Sequence, residues 1–314
     1  MIKILTGNCL DKIKELEDNS IDCVVSSPPY FGLRDYGVDG QFGLEKTYQD
    51  YIANTVKVFR EFKPKLKDTA TIWWNIGDSY SSGSRTSTTN QKLRGNKDYG
   101  VTRTPVDKSI KEKDLMMIPN RVAIALQDEG WYIRSEIIWH KPNPMPVSVR
   151  DRPTSCHEKI WLITKSKKYY YDSDAIKEPC TESTKQRYKS GWKGNEERDY
   201  VSGKQNHFSK YIGTEKSKQD ALKGRNKRNV WTITTKPFKD AHFATFPPDL
   251  IEPCIKAGCP EGGTVLDPFG GSGTTGLVAN DLRRNSILIE LNPKYVKMMK
   301  KRMFNDSPLF MEME

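Results

Sequence analysis

Short runs rich in Val and Ile alternate, over most of the chain, with segments whose apolar residues recur every three or four positions. Residues 2–5 make a short apolar run and predict a strand; Leu10, Ile13 and Leu16 then fall at helical spacing. Residues 21–26 are a compact run bounded by Asn19 and by Pro28-Pro29, the pattern of a buried parallel strand. Residues 48–62 carry Tyr51, Ile52, Val56, Val58 and Phe59 and predict a helix, followed by a buried strand over 69–76. From 79 to about 113 the composition shifts to Ser, Thr, Gly, Asn and Lys without periodicity, which predicts a long loop or insert, with its mobile part over 80–112. A helix around 119–129 and strands over 132–139 and 159–164 follow. After a basic, glycine-spotted segment at 181–229, regular structure returns: helix 248–257, strand 264–266, helix 274–281, strand 286–289 and helix 293–302. No internal repeat is visible. The alternation predicts an α/β fold with a doubly wound, mostly parallel sheet.

Composition narrows the setting. No apolar run approaches the ~20 residues that span a bilayer, and the start of the chain has no basic stretch followed by an apolar one. The expectation is a cytoplasmic protein without membrane contact. The six cysteines form no Cys-x-x-Cys pair and the four histidines are scattered, so no metal site is expected and the thiols read as reduced and mostly buried. The net charge of +11 is unevenly placed: residues 181–229 hold 13 Lys and Arg against 6 Asp and Glu. A basic face attracts polyanions through phosphate contacts and counterion release, although a solvated charged loop would look the same.

Two turns carry candidate chemistry. Residues 267–276 read Asp-Pro-Phe-Gly-Gly-Ser-Gly-Thr-Thr-Gly between a Val-Leu strand and a helix. Glycines there let the backbone turn sharply and approach a ligand. Gly271, Gly273 and Gly276 formally match the dinucleotide fingerprint, and Glu290 ends the next strand, where a carboxylate can accept from both hydroxyls of a ribose. NAD and S-adenosylmethionine both satisfy this pattern. Asp267 favours the methyl donor, because a carboxylate at the strand tip would pair with an ammonium and repel a pyrophosphate.

The second turn, Ser27-Pro28-Pro29-Tyr30, lies at the carboxyl end of a predicted buried strand, where open α/β sheets bind ligands. The two prolines remove two N–H donors and stiffen the turn. Ser27 Oγ and the Pro28 carbonyl can then accept both protons of an amino group, leaving the nitrogen lone pair aimed at a methyl sulfonium. Tyr30 would stack on a base taken out of the duplex.

With these motifs in view, the chain resembles the amino-methylating DNA methyltransferases of the beta arrangement, in which the catalytic turn comes first and the cofactor turn last. The resemblance extends to Gly7-Asn8-Cys9, Trp139-His140-Lys141-Pro142, residues 242–247 and Glu290, and covers almost the whole chain. It implies a Rossmann-like, S-adenosylmethionine-dependent methyltransferase fold with a smaller inserted target-recognition region. The implied organisation is a catalytic half at 1–180, a recognition region at 181–236 and a cofactor half at 237–314. The resemblance assigns Phe269, Gly271 and Thr274 to the methionine end of the cofactor, Gly273 and Asp267 to the cofactor site, and Glu290 to its ribose. His242, Thr245 and Phe246 border the same cofactor, and His140 and Lys141 flank the pocket. Asn8 stands where many relatives have an aspartate against the adenine amino group, and an amide oxygen is the weaker acceptor.

A serine in the first place of the catalytic turn resembles the cytosine-N4 branch, with adenine N6 the alternative on the same scaffold. Cytosine-C5 methylation would need a cysteine nucleophile, and neither Cys180 nor Cys254 follows the catalytic strand. Lys185, Arg187, Lys189, Lys223, Arg225, Lys227 and Arg228 are the candidate contacts to double-stranded DNA, phosphates first. A silent DNA-binding module and an NAD oxidoreductase are the competing readings. A cognate restriction endonuclease and the oligomeric state stay open.

Overall fold

The computed structural model describes residues 1–81, 109–144, 146–190, 222–235 and 246–306, with residues 215 and 219. Most of the 80–112 segment, with His242 and Thr245, therefore lies outside the described residues. Eight strands form one sheet: β1 (Ile2–Thr6), β2 (Ile21–Ser26), β3 (Leu66–Ile76), β4 (Tyr132–His140), β5 (His157–Thr164), β6 (Val230–Thr232), β7 (Thr264–Asp267) and β8 (Asn285–Glu290). Their spatial order is β1-β8-β7-β2-β3-β5-β4-β6. The pairs from β1 through β3 are parallel, β5 runs antiparallel to both β3 and β4, and β6 is parallel to β4. One consequence governs the rest of the molecule. The carboxyl ends of β2, β3, β7 and β8 share an edge, and the antiparallel β5 brings its amino end to that edge, with Ile76 opposite Lys159.

The helices whose bounds lie within the described residues are α1 (Cys9–Lys14), α2 (Tyr48–Lys65), α3 (Ile118–Asp128), α4 (Glu182–Ser190), α5 (Pro248–Gly258), α6 (Thr274–Asp281) and α7 (Pro293–Asp306). None is long and apolar enough to cross a membrane. Burial explains the boundaries. β2 is buried along its whole length, as its unbroken apolar run requires. In α2, Tyr51, Val58, Phe59 and Phe62 are fully buried and pack on the sheet beside Trp74. Thr47 caps the helix by accepting from the Asp50 amide at 3.1 Å. β3 begins at Leu66, three residues before the predicted start, because the polar Lys67 and Asp68 separate Leu66 from the apolar run although they extend the strand. A second, smaller core joins β1, β8, α6 and α7 through Ile2, Ile4, Leu277, Leu288, Val296, Met299 and Met303.

The chain folds into two compact units: residues 1–171 with 229–314, and residues 172–228. The inserted unit thus ends earlier than the expected 236. β6 is the reason: it joins the sheet beside β4, and its Trp231 is buried against Trp73 at 6.3 Å. Three residues with a single buried side chain are too short a run to read as a strand from pattern alone. The inserted unit itself contains a 3-10 turn at Asp174–Ile176, α4, and a bridge between Glu178 and Arg225.

Candidate active site

At the shared edge, β2 and β7 are neighbours, and Ser26 and Asp267 close their ends together. Ser26 Oγ donates to Asp267 Oδ1 at 2.6 Å, the Phe269 amide donates to the same oxygen at 3.1 Å, and Thr275 Oγ1 donates to Oδ2 at 2.6 Å. Asp267 is 1% exposed. Burial pushes its carboxyl above the usual range, and the bonds from Ser26, Thr275 and Phe269 pull it part of the way back. The sequence pairs this carboxylate with a ligand ammonium. In the structure both oxygens are engaged by the protein, so Asp267 is first a strut that locks the glycine turn to β2.

The glycine turn bends through left-handed residues at Gly271 (φ 51°) and Gly273 (φ 78°). Gly273 is constrained twice: a Cβ there would lie 2.6 Å from Met299 Cγ, so its bareness seats the turn on α7. Thr274 is buried too, its hydroxyl 3.0 Å from Ser272 Oγ and accepting from Arg302 Nη1 at 3.1 Å. Gly273 and Thr274 therefore serve the protein's own packing. Gly271 donates its amide to Glu290 Oε2 at 2.8 Å, and Asn292 donates to Oε1 at 2.8 Å. Burial raises the Glu290 carboxyl; those two amides oppose the rise. Each oxygen keeps a further lone pair, the acceptor set that two vicinal hydroxyls need. With Asp267 and Glu290 both at this turn, a cationic nucleoside suits it and a pyrophosphate does not. Phe269 packs half-buried between Phe42 at 5.4 Å and Trp74 at 6.0 Å, and Phe246 is half-buried as well. Asn8 caps α1, its Oδ1 accepting from the Leu10 amide at 2.9 Å, which gives the residue a structural role the sequence reading did not assign.

The Ser-Pro-Pro-Tyr turn follows β2 directly. Tyr51 donates its hydroxyl to the Pro29 carbonyl at 3.0 Å, while the Pro28 carbonyl accepts no hydrogen bond among the described residues. The Tyr30 ring lies on the backbone of Gly77 at the end of β3, where a Cβ would come within 2.6 Å of Cε2. Its hydroxyl is the hub of a polar cluster. Ser27 Oγ donates to it at 3.2 Å, Asn75 Nδ2 donates to it at 2.6 Å, and it donates to Glu158 Oε2 at 2.6 Å. Asn75 Nδ2 also reaches Glu158 Oε2 at 3.0 Å and Ser27 Oγ at 3.3 Å. Lys141 pairs with Glu158 Oε1, its ammonium 4.2 Å above the Trp139 ring. Burial, followed by the negative charge of Glu158, lifts the Tyr30 phenol well above its usual value. His140 sits apart from the cluster, its Nδ1 3.1 Å from Thr232 Oγ1 on β6.

Asn75, Gly77 and Glu158 are absent from the sequence reading. A signal existed for two of them: Asn75 is the one amide in the buried run from Ala70 to Ile76, and Glu158 is a charge just before the apolar residues 160–163. What linear sequence hides is that β5 runs backwards and so starts where β2 and β3 end.

The basic candidates lie in the inserted unit. Arg225, Lys227 and Arg228 converge on Glu178, at 3.3, 4.0 and 3.1 Å. Burial would raise the Glu178 carboxyl, but the hydrogen bond and charge of Arg228 and the charge of Lys227 outweigh it and hold it below the usual range. Lys185 pairs with Glu182 at 2.6 Å and Lys223 is exposed. Arg187 and Lys189 belong to α4, but their side chains lie outside the described residues. Among the described residues no group of three or more His, Cys, Asp or Glu is placed to hold a metal ion.

Known proteins resemble this chain in sequence and in fold. Type II methyltransferase M.SmaI of Serratia marcescens is 44% identical over 301 residues, covering 96% of this chain and 90% of its own. Among solved structures, the fold superimposes on PvuII DNA methyltransferase (cytosine-N4-specific) with a TM-score of 0.64 and 19% identity, over 98% of this chain and 87% of that one. It also superimposes on TTHA0409 of Thermus thermophilus, solved in complex with S-adenosyl-L-methionine, with a TM-score of 0.58 and 18% identity, over 99% and 98% of the two chains. The N6/N4 methyltransferase family, described as DNA methylase, matches residues 21–301. Nine-tenths of the chain, both turns included, fall within that match, and the protein belongs to the N6/N4 family of DNA methyltransferases.

Proposed function

We propose that the protein transfers the methyl group of S-adenosylmethionine to the N4 amino group of a cytosine turned out of double-stranded DNA. The observation that carries this reading is the position of Ser27: its Oγ stands at the tip of β2, bonded to Tyr30, one residue from the strut that fixes the glycine turn. When bound, the cofactor supplies an electrophilic methyl on a sulfonium. The protein's part is orientation. Ser27 Oγ and the Pro28 carbonyl accept the two amino hydrogens, which draws the nitrogen out of conjugation and turns its lone pair outward. Tyr30, seated on Gly77, offers its ring for stacking. Glu290 takes the ribose hydroxyls and Phe269 lines the methionine end. A neutral hydroxyl in the first place of the turn favours cytosine over adenine, in keeping with the cytosine-N4-specific neighbour. The described cysteines give no nucleophile for ring methylation: Cys9, Cys23, Cys254 and Cys259 are buried, and neither Cys156 nor Cys180 belongs to the polar cluster.

In this reading the inserted unit is the recognition region, with Lys223 and the Arg225–Arg228 group contacting phosphates. Relatives named Type II methyltransferases point to the modification half of a restriction pair, which protects the site a cognate endonuclease cuts. The test is chemical. Duplex DNA incubated with protein and cofactor is digested to nucleosides and analysed by mass spectrometry. N4-methyldeoxycytidine is expected; N6-methyldeoxyadenosine would contradict the choice of base, and no methylated nucleoside would favour a silent DNA-binding module.

A further inference from the structure

We infer that Glu158 is the terminal acceptor for the proton that the target amino group gives up, reached through Ser27 and Tyr30. The inference rests on the amino-methylation reading and adds to it a residue outside both turns.

The hydrogen bonds run one way. Ser27 Oγ donates to the Tyr30 hydroxyl at 3.2 Å, and that hydroxyl donates to Glu158 Oε2 at 2.6 Å. Ser27 donates away from the pocket and accepts at 3.3 Å from Asn75 Nδ2, which leaves its Oγ one lone pair for a donor entering the pocket, and an amino N–H is such a donor. Asn75 fixes this polarity. Its NH2 group points at both Tyr30 and Glu158, and flipping the amide would set a carbonyl against a carboxylate. Lys141 supplies the countercharge on the far oxygen. A raised phenol keeps Tyr30 protonated, so it passes a proton on rather than holding a charge.

The step balances. As the nitrogen gains a methyl it becomes cationic and loses one proton to Ser27 Oγ. Ser27 gives its own proton to the Tyr30 oxygen, and Tyr30 gives its own to Glu158. The products are a neutral methylated base and a protonated carboxyl, with Ser27 and Tyr30 restored. The side chains of Glu158 and Lys141 are 17% and 19% exposed, enough for the carboxyl to return its proton to water between turnovers. Chains of hydrogen bonds polarise one another. A carboxylate at the end of this one therefore strengthens Ser27 as an acceptor while positive charge grows on the nitrogen, before the proton moves. Since Glu158 acts through two other side chains, it is a positioning residue.

Glu158→Gln separates relay from scaffold, because the amide keeps the shape and the bond to Tyr30 but cannot take a proton. Single-turnover transfer at saturating cofactor and DNA is compared for wild type, Glu158→Gln, Glu158→Asp, Tyr30→Phe and the Tyr30→Phe/Glu158→Gln double variant, with cofactor Kd and thermal melting measured alongside. A relay predicts a loss of about 10²-fold in Glu158→Gln with an unchanged cofactor Kd. It also predicts partial recovery in Glu158→Asp, and a double variant no slower than the slower single one. Glu158→Gln within about twofold of wild type would overturn the relay, as would losses that multiply in the double variant. If Glu158→Gln does not fold, Tyr30→Phe, which breaks the same chain, decides alone by the same thresholds. A wild type that methylates no amino group overturns the underlying function, a result distinct from an active wild type with an indifferent Glu158.

Discussion

Ser26 and Ser27 are adjacent and face opposite ways, and their side chains divide structure from chemistry. Ser26 is buried and bonded to Asp267, whereas Ser27 opens toward Tyr30. Removing the Ser26 hydroxyl leaves a buried carboxylate one donor short, so Ser26→Ala should cost about 1–3 kcal/mol in urea unfolding. Ser27→Ala removes part-buried bonds to Tyr30 and Asn75 but strands no buried charge, and should cost less, about 0.5–1.5 kcal/mol. At the cofactor turn, burial raises the Glu290 carboxyl, so it takes up a proton at higher pH than an ordinary glutamate near 4.5. If Glu290 takes the ribose hydroxyls, its ionised form is the one that accepts from them. Affinity for S-adenosylmethionine should therefore be full at neutral pH and fall on acidification through that raised pKa. Titrating binding by calorimetry should show the fall in wild type and a flat, weaker profile in Glu290→Gln. Burial likewise pushes the Cys9 and Cys259 thiols up to about 12. Native-state alkylation followed by peptide mapping should label only the half-exposed Cys156 and Cys180.

Elements decide which of these residues meet. β2 and β7 were plain in the sequence because each is a short apolar run that stops at a proline turn, and α6 because a glycine turn opens it. With them came Ser27, Tyr30, Gly271 and Glu290, which sit at strand ends. The reversed β5 was not plain: alternation identifies a strand, not its direction, so Glu158 stayed unconnected to Tyr30. Asp267 shows the converse difficulty. Its position at a strand tip was legible, and Phe269 and Thr275 lie in its own turn, but its bond to Ser26 exists only because folding sets β2 beside β7. Gly77 belongs to the same class, since its bareness matters only because Tyr30 rests on it. Gly77→Ala should displace the tyrosine ring and lower methyl transfer by an order of magnitude or more while leaving cofactor affinity intact, the split expected when only the base-side wall moves. Equal losses in both measurements would show a general disruption instead.

At the scale of the molecule, the inserted unit at 172–228 carries 14 Lys and Arg against 9 Asp and Glu, +5 of the net +11, and even that excess overstates the cations free to meet a polyanion. Arg225, Lys227 and Arg228 share Glu178, whereas Lys223 is exposed. If that unit contacts phosphates, DNA affinity falls linearly on a log–log salt plot, and Lys223→Ala should reduce the slope by about 0.9. An unchanged slope would remove Lys223 from the interface. Fold class was readable from the alternation of strands and helices, whereas the unit boundary at 228 was not, because β6 is too brief to announce itself. The central claim is that a strand-end serine presents an amino group to a methyl donor held by the neighbouring turn. Its most direct measurement pairs cofactor binding with methyl incorporation into duplex DNA for wild type and Ser27→Ala. The account predicts equal cofactor affinity and a loss of incorporation in the variant; full incorporation by Ser27→Ala would contradict it.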